Sequence, residues 1–175
     1  MNHKSETTTL NTSWSLRIDT ILPILAFSIP LLISGPQLLT GSLVNTLLFI
    51  ASDRRTNRNS LYILSLLPSL GALSNGLLFG KFTPYLVFFI PFIWIGNMVL
   101  ILSFDRVRSR MTFPFAIIIP SLFKTAILFL SAQILVRTHF APNAFISSMG
   151  AVQLITALIG GTLAYVLIKI ARSSI

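Results

Sequence analysis

Six apolar runs, broken only by short polar stretches, occupy the chain from Ile18 to Ile170. A helix needs about 20 mainly apolar residues to cross a bilayer, with a working range of about 17–25. The runs are Ile18 to Ser34, Gln37 to Ser52, Leu61 to Phe79, Pro84 to Phe104, Met111 to Val136 and Ile146 to Ile170. Only 10% of the chain is charged, against 54% hydrophobic, where a soluble domain carries about 25% charged residues. So few charges cannot cover a surface that faces water. The expected fold is an all-α membrane protein: one transmembrane domain over residues 1–175, a six-helix bundle in the cell membrane. Residues 1–16 are polar and rich in Thr and Ser. They lack the basic segment leading straight into a short apolar stretch that marks a signal peptide, and are expected to form a mobile cytoplasmic tail.

The first two runs are short, and only Gly35-Pro36 parts them. They read either as two spans in a tight hairpin or as one span plus a re-entrant segment. Basic residues arbitrate, because cytoplasmic loops carry the Lys/Arg excess. With six spans, one side receives Lys4, Arg17, Arg54, Arg55, Arg58, Arg106, Arg108, Arg110, Lys169 and Arg172, and the other only Lys81 and Arg137. Five spans would put the tail opposite the other basic loops. Six spans with both termini cytoplasmic are therefore expected. The net charge of +9 then serves topology and contact with anionic headgroups. Nucleic acid is not an expected partner, because the charges sit only between apolar runs.

The chain has no cysteine, which excludes disulfides, thiolate metal sites and a cysteine nucleophile. His3 and His139 lie in expected loops and alone build no intramembrane metal site. There is no HExxH motif, P-loop or Gly-rich phosphate loop, and no paired intramembrane carboxylate. Ser121 and Lys124 are three apart and so neighbours on a helix, but they make only a weak candidate dyad. Neither an enzyme nor a cofactor is expected. Without a nucleotide motif the chain cannot itself drive transport with ATP.

Polar residues at membrane depth are expensive and are candidates for function by default. Lys124, near the middle of the fifth run, is the sharpest. Glu6, Asp19, Asp53 and Asp105 all fall on the expected cytoplasmic side, so no acidic residue in a span neutralises it. Lys124 must face water, a carbonyl cluster or an anionic ligand, or lose its proton; snorkelling along its stem or carbonyl capping is the structural alternative. Asn45, Asn75, Asn97, Gln133 and Gln153 lie within runs and Gln37 at the outer hairpin. Each serves either interhelical hydrogen bonding or ligand binding, with Gln37, Asn75 and Gln153 nearest the outer face. Trp94 and Tyr85 are candidates to stack a ring-bearing ligand, or to pack and anchor. The candidate substrate-binding set is Lys124, Gln37, Asn45, Asn75, Trp94, Asn97 and Gln153. Prolines 23, 30, 68, 91 and 120 each remove a backbone donor inside a run, which fits kinked helices around a cavity. Small residues four apart, Ala72 and Gly76, Ala157 and Gly161, Gly160 and Ala164, allow close helix packing or a partner's docking.

The stretches Gly35-Pro-Gln-Leu-Leu-Thr-Gly-Ser-Leu-Val-Asn45, Leu67-Pro-Ser-Leu-Gly-Ala-Leu73, Phe79-Gly-Lys-Phe-Thr-Pro84, Ile90-Pro-Phe-Ile-Trp-Ile-Gly-Asn97 and Gln153-Leu-Ile-Thr-Ala-Leu-Ile-Gly-Gly161 resemble small six-helix proteins related to the substrate-binding S components of energy-coupling factor transporters. The resemblance covers roughly Pro30 to Ala164. It implies a membrane-embedded binding subunit for a vitamin or similar micronutrient. Its pocket would open to the outside, and a transmembrane coupling subunit with two cytosolic ATPases would energise it. One departure bears on docking. Where that family's first helix carries small residues four apart, this chain has Ala26 followed by Pro30, with Ala72 and Gly76 the candidate substitute. The alternative function is a non-transport integral membrane scaffold or assembly protein, with the small-residue faces as partner sites.

Overall fold

The computed structural model describes residues 19–33, 36–54, 56–76 and 80–173. The expected tail, Gly35 of the hairpin and the end of the third run at 77–79 lie outside the described residues. Those described form helices and no strand: α1 (Asp19–Leu32), α2 (Gln37–Asp53), α3 (Arg58–Asn75), a 3-10 segment (Gly80–Tyr85), α4 (Leu86–Arg108), α5 (Phe113–Ala116), α6 (Ile118–Arg137), α7 (Ala144–Met149) and α8 (Ala151–Ser173).

Three stretches are long and apolar enough to cross a membrane: Thr83–Arg108, Phe113–Arg137 and Ala144–Ser173. The described part of α1 is apolar but shorter, α2 has 17 residues, and α3 carries Arg58, Asn59 and Asn75 among its 18. Large apolar side chains crowd the outer surface, among them Leu32, Phe115, Leu130 and Ile134. An apolar exterior of this extent suits contact with lipid.

Helix ends follow local chemistry and move several expected boundaries. The Asn57 side chain accepts from the Asn59 amide at 3.2 Å and starts α3 three residues before Leu61. Gly76, at φ 70°, ends α3 in a left-handed cap that favours glycine. The fifth run is two helices, because Pro120 has no N–H to offer the Ala116 carbonyl one turn back; α5 stops there and α6 begins past Ile117. The sixth starts earlier than expected, in α7, and breaks at Gly150 before α8.

The tightest pairing joins α2 to α8. A Cβ on Gly160 would lie 2.6 Å from both the Ser42 carbonyl oxygen and Asn45 Cβ, so the two backbones nearly touch. Thr46 Oγ1 lies 3.1 Å from the Gly160 carbonyl oxygen and 2.8 Å from that of Ser42, within donating distance of each. Ala157, Gly160, Gly161 and Ala164 are all buried, so this small-residue face packs inside the bundle. Gly71 does the same for α3 and α1, its missing Cβ falling 2.3 Å from the Phe27 carbonyl oxygen. Ala26 is fully buried and Pro30 is buried too, so that pair faces inward.

Two apolar clusters hold the bundle. At one end Phe49, Phe104, Phe113 and Tyr165 form a chain of rings with centroids 5.0, 5.1 and 5.5 Å apart. At the other, Phe89 stacks on Phe145 at 4.6 Å beside Leu86, Leu128 and Met149. Beyond the first cluster, Asp53 ties three helices together: Arg108 Nε donates to Oδ1 at 3.3 Å and Arg172 Nη2 to Oδ2 at 2.9 Å. The ends of α2, α4 and α8 therefore meet, and the basic residues near them gather at one end of the bundle.

Candidate binding cavity

Several of the polar side chains that the apolar runs carry converge on one cavity in the half of the bundle away from Asp53. It opens among the start of α2, the end of α3, the first half of α4, mid-α6 and the start of α8. Gln37, Thr40, Asn45, Asn97, Lys124 and Gln153 contribute its polar lining. Its volume is about 80 Å³; counted with the open space at its mouth, the room between atoms is about 550 Å³.

Lys124 lies on α6 and is only 3% exposed. Its Nζ donates to Asn45 Oδ1 on α2 at 2.6 Å. Asn45 passes the polarity on, its Nδ2 donating to Thr156 Oγ1 on α8 at 3.2 Å. The Thr156 hydroxyl donates in turn to the Gln153 carbonyl at 3.0 Å. Three helices are thus joined through one lysine. No carboxylate lies within ion-pair distance of Lys124 among the described residues, where both ion pairs belong to Asp53. A buried charge held only by a neutral amide is costly, and Asn45 engages one of its three N–H donors.

Two further groups in the wall are buried without a hydrogen-bond partner: Thr40 Oγ1 and Asn97 Oδ1. Asn97 uses its other amide atom, Nδ2 donating to the Ser65 carbonyl at 2.9 Å. Buried polar atoms are nearly always paired with protein or water; Thr56 Oγ1 and Thr125 Oγ1 are the other two such atoms among the described residues, and of the four only Thr40 and Asn97 border the cavity, where water or a polar ligand can reach them.

Of the seven residues that sequence singles out, Lys124, Gln37, Asn45, Asn97 and Gln153 line this cavity, whereas Asn75 and Trp94 do not. Asn75 Nδ2 donates to the Leu31 carbonyl on α1 at 2.7 Å. Trp94 stands behind the wall, its Nε1 donating to Ser69 Oγ at 2.7 Å, and only Ser69 reaches the cavity. Tyr85 packs edge-on against Phe145 at 6.4 Å. Gln37 is also anchored: its Nε2 donates to the Ser148 carbonyl at 3.2 Å and its Oε1 accepts from the Ser148 hydroxyl, which fastens α2 to α7. Ser121 donates to the Ile117 carbonyl at 2.8 Å, and no hydrogen bond joins it to Lys124. Thr40 and Ser69 are the polar wall residues that sequence reading does not single out, and Thr156, behind the wall, is the partner of Asn45 that it does not single out either. Thr156 alone left a signal, three residues after Gln153 and so on its face of the helix.

Asn75→Leu separates glue from site. It is expected to lower stability by about 0.6–1.7 kcal/mol, the range for an interhelical hydrogen bond in a membrane. It should leave any molecule held at Lys124 undisturbed. Thermal melting in detergent and native mass spectrometry of the same preparation check both halves.

No protein-family model, curated protein or solved structure matches the chain. The functional reading rests on the chemistry of the cavity.

Proposed function

We propose that the chain is a six-span protein of the cell membrane, both termini cytoplasmic, that binds a small anionic molecule in the Lys124 cavity. It would act as the substrate-binding subunit for uptake of a vitamin or similar micronutrient, energised by a separate ATPase module. The observation that carries this reading is the composition of one wall: N–H donors on Lys124 beside two unpartnered oxygens, Thr40 Oγ1 and Asn97 Oδ1. A matching ligand presents an anionic oxygen to Lys124 and an N–H or O–H to Asn97. The cavity's volume of about 80 Å³ lies below the roughly 300–1,000 Å³ of small-molecule pockets, so it admits a small ligand, and a larger one requires the helices around it to part. The buried small-residue face of α8 leaves less for a scaffold's partner to grip.

Native mass spectrometry of the protein purified from its own membrane should find one co-bound metabolite, and affinity purification should bring down an ATPase module. A protein free of small molecules that brings down other membrane proteins instead would sink this reading and favour the scaffold.

The gathering of Arg54, Arg58, Arg106, Arg108, Arg110, Lys169 and Arg172 near the end marked by Asp53 supports a cytoplasmic orientation for that end. The chain has no native cysteine, so each introduced one reports alone. Ser109→Cys and Ser5→Cys are expected to react with an impermeant maleimide only from the cytoplasmic side, and Asn143→Cys only from outside. Ser5→Cys and Ser109→Cys labelling from opposite faces would contradict six spans.

A further inference from the structure

A second cavity lies at the end of the bundle marked by Asp53. Arg108, Phe113, Tyr165, Ile168, Lys169 and Arg172 line it, from the ends of α4 and α8 and the start of α5. Its volume is about 220 Å³, more than the about 80 Å³ of the Lys124 cavity. Nothing in the uptake reading uses it.

The charges around it are unbalanced. Three cations line the cavity, and the acid that pairs with them among the described residues is Asp53, whose side chain is 5% exposed and already shared by two guanidiniums. Lys169 has no side-chain partner among the described residues. Arg108 is held in place: its Nη1 donates to the Met111 carbonyl at 3.2 Å and its guanidinium lies over the Phe113 ring at 5.5 Å. A guanidinium carries five N–H donors. The Asp53 and Met111 bonds engage two on Arg108 and one on Arg172, which leaves donors on both for an anion. The floor is aromatic and aliphatic, and the helices beside it expose Phe115, Val166 and Ile170. The cavity thus joins a cationic lining to a greasy border.

We propose that this cavity binds a phosphate ester, its oxygens taken by Lys169 and Arg172 with Arg108 behind them. Guanidinium forks match phosphate geometry, and basic pockets between membrane helices hold anionic headgroups. The phosphate ester can belong to a lipid headgroup, whose chains would lie along Val166 and Ile170, or to a soluble metabolite.

The test uses the full chain reconstituted in phosphatidylcholine nanodiscs with or without 20% phosphatidylglycerol, followed by native mass spectrometry of lipid that stays bound. Phosphatidylglycerol should be retained at least tenfold over phosphatidylcholine. Lys169→Gln with Arg172→Gln should lose at least tenfold of that retention. Arg58→Gln with Arg110→Gln, the same charge change away from the cavity, should lose less than twofold. Lys169→Gln alone, which breaks no side-chain hydrogen bond or ion pair among the described residues, should lose about threefold and keeps the test decisive if the double variant unfolds. Millimolar glycerol phosphate separates the sources: displacement of the lipid, or binding of glycerol phosphate alone, assigns the site to soluble phosphate esters, and failure to displace assigns it to the headgroup. Equal retention of the two lipids without glycerol phosphate binding overturns the proposal. So does equal loss in the two double variants, or wild-type retention in Lys169→Gln. A protein that fails the Lys124 ligand test and passes this one would leave the second site standing by itself.

Discussion

Lys124→Met is expected to strip the purified protein of its co-bound anionic molecule while leaving the bundle folded. Removing one member of a hydrogen-bonded charge pair costs about 2–5 kcal/mol, and each 1.4 kcal/mol is tenfold in affinity. Ligand retention should therefore fall by roughly 30-fold to 1,000-fold or more. The fold should tolerate the change for two opposing reasons. Methionine keeps the length and apolar stem of the side chain and removes a buried charge, which is neutral to stabilising when the replacement packs well. Asn45 Oδ1 loses its donor, a penalty of about 1–3 kcal/mol, but the Asn45 amide keeps its link to Thr156. The two effects nearly cancel, so the melting temperature should move by only a few degrees. If Lys124 were only interhelical glue, the pattern would invert: melting would drop and the bound molecule would stay. Native mass spectrometry and thermal melting on one preparation distinguish the two.

The sequence announced Lys124 because a lone cation in an apolar run is costly wherever it sits, and that cost is visible without coordinates. It could not announce Asn45 as the partner. The two residues are 79 positions apart, and which face of α2 meets α6 depends on how α2 lies against α8. That packing follows from the absent side chain of Gly160, which reads in sequence only as one of several small residues. Thr40 and Ser69 were passed over because a hydroxyl in a helix usually bonds back to its own helix. Ser69 does so with the Leu66 carbonyl at 2.8 Å, but it also accepts from Trp94, and Thr40 does neither. Asn75 and Trp94 looked like site residues since type and depth make a polar side chain a candidate, whereas only orientation makes it part of a wall. The broken fifth run was legible in part: Pro120 foretold a lost hydrogen bond, but not that the helix would restart rather than kink. The basic cavity was hidden in what served as a topology count. Arg108, Lys169 and Arg172 were legible as loop charges, and only the meeting of α4 and α8 at Asp53 makes them one site.

Gly160→Ala is expected to be, with Gly71→Ala, among the most damaging single-methyl changes in the described residues. Its new Cβ would sit 2.6 Å from the Ser42 carbonyl oxygen and 2.9 Å from the Thr46 nitrogen, and both are backbone atoms of α2. No rotamer change relieves such a contact, so one helix must move. Overpacking of this kind costs about 1–3 kcal/mol, occasionally more. Separation of α2 from α8 also stretches the bonds from Thr46 to the Gly160 carbonyl and from Asn45 to Thr156, each worth about 0.6–1.7 kcal/mol. Gly96→Ala is the matched control in mid-α4. There the nearest atom to a new Cβ is Lys124 Cγ at 3.4 Å, an ordinary contact, and alanine gains about 1 kcal/mol of helix propensity over glycine. Melting in detergent should fall for Gly160→Ala and hold or rise for Gly96→Ala. Because Asn45 stands on the disturbed helix, Gly160→Ala should also weaken ligand retention at Lys124. Equal melting of the two variants would mean that α2 and α8 do not approach as closely as the glycine requires, and the route by which Asn45 reaches Lys124 would fall with it.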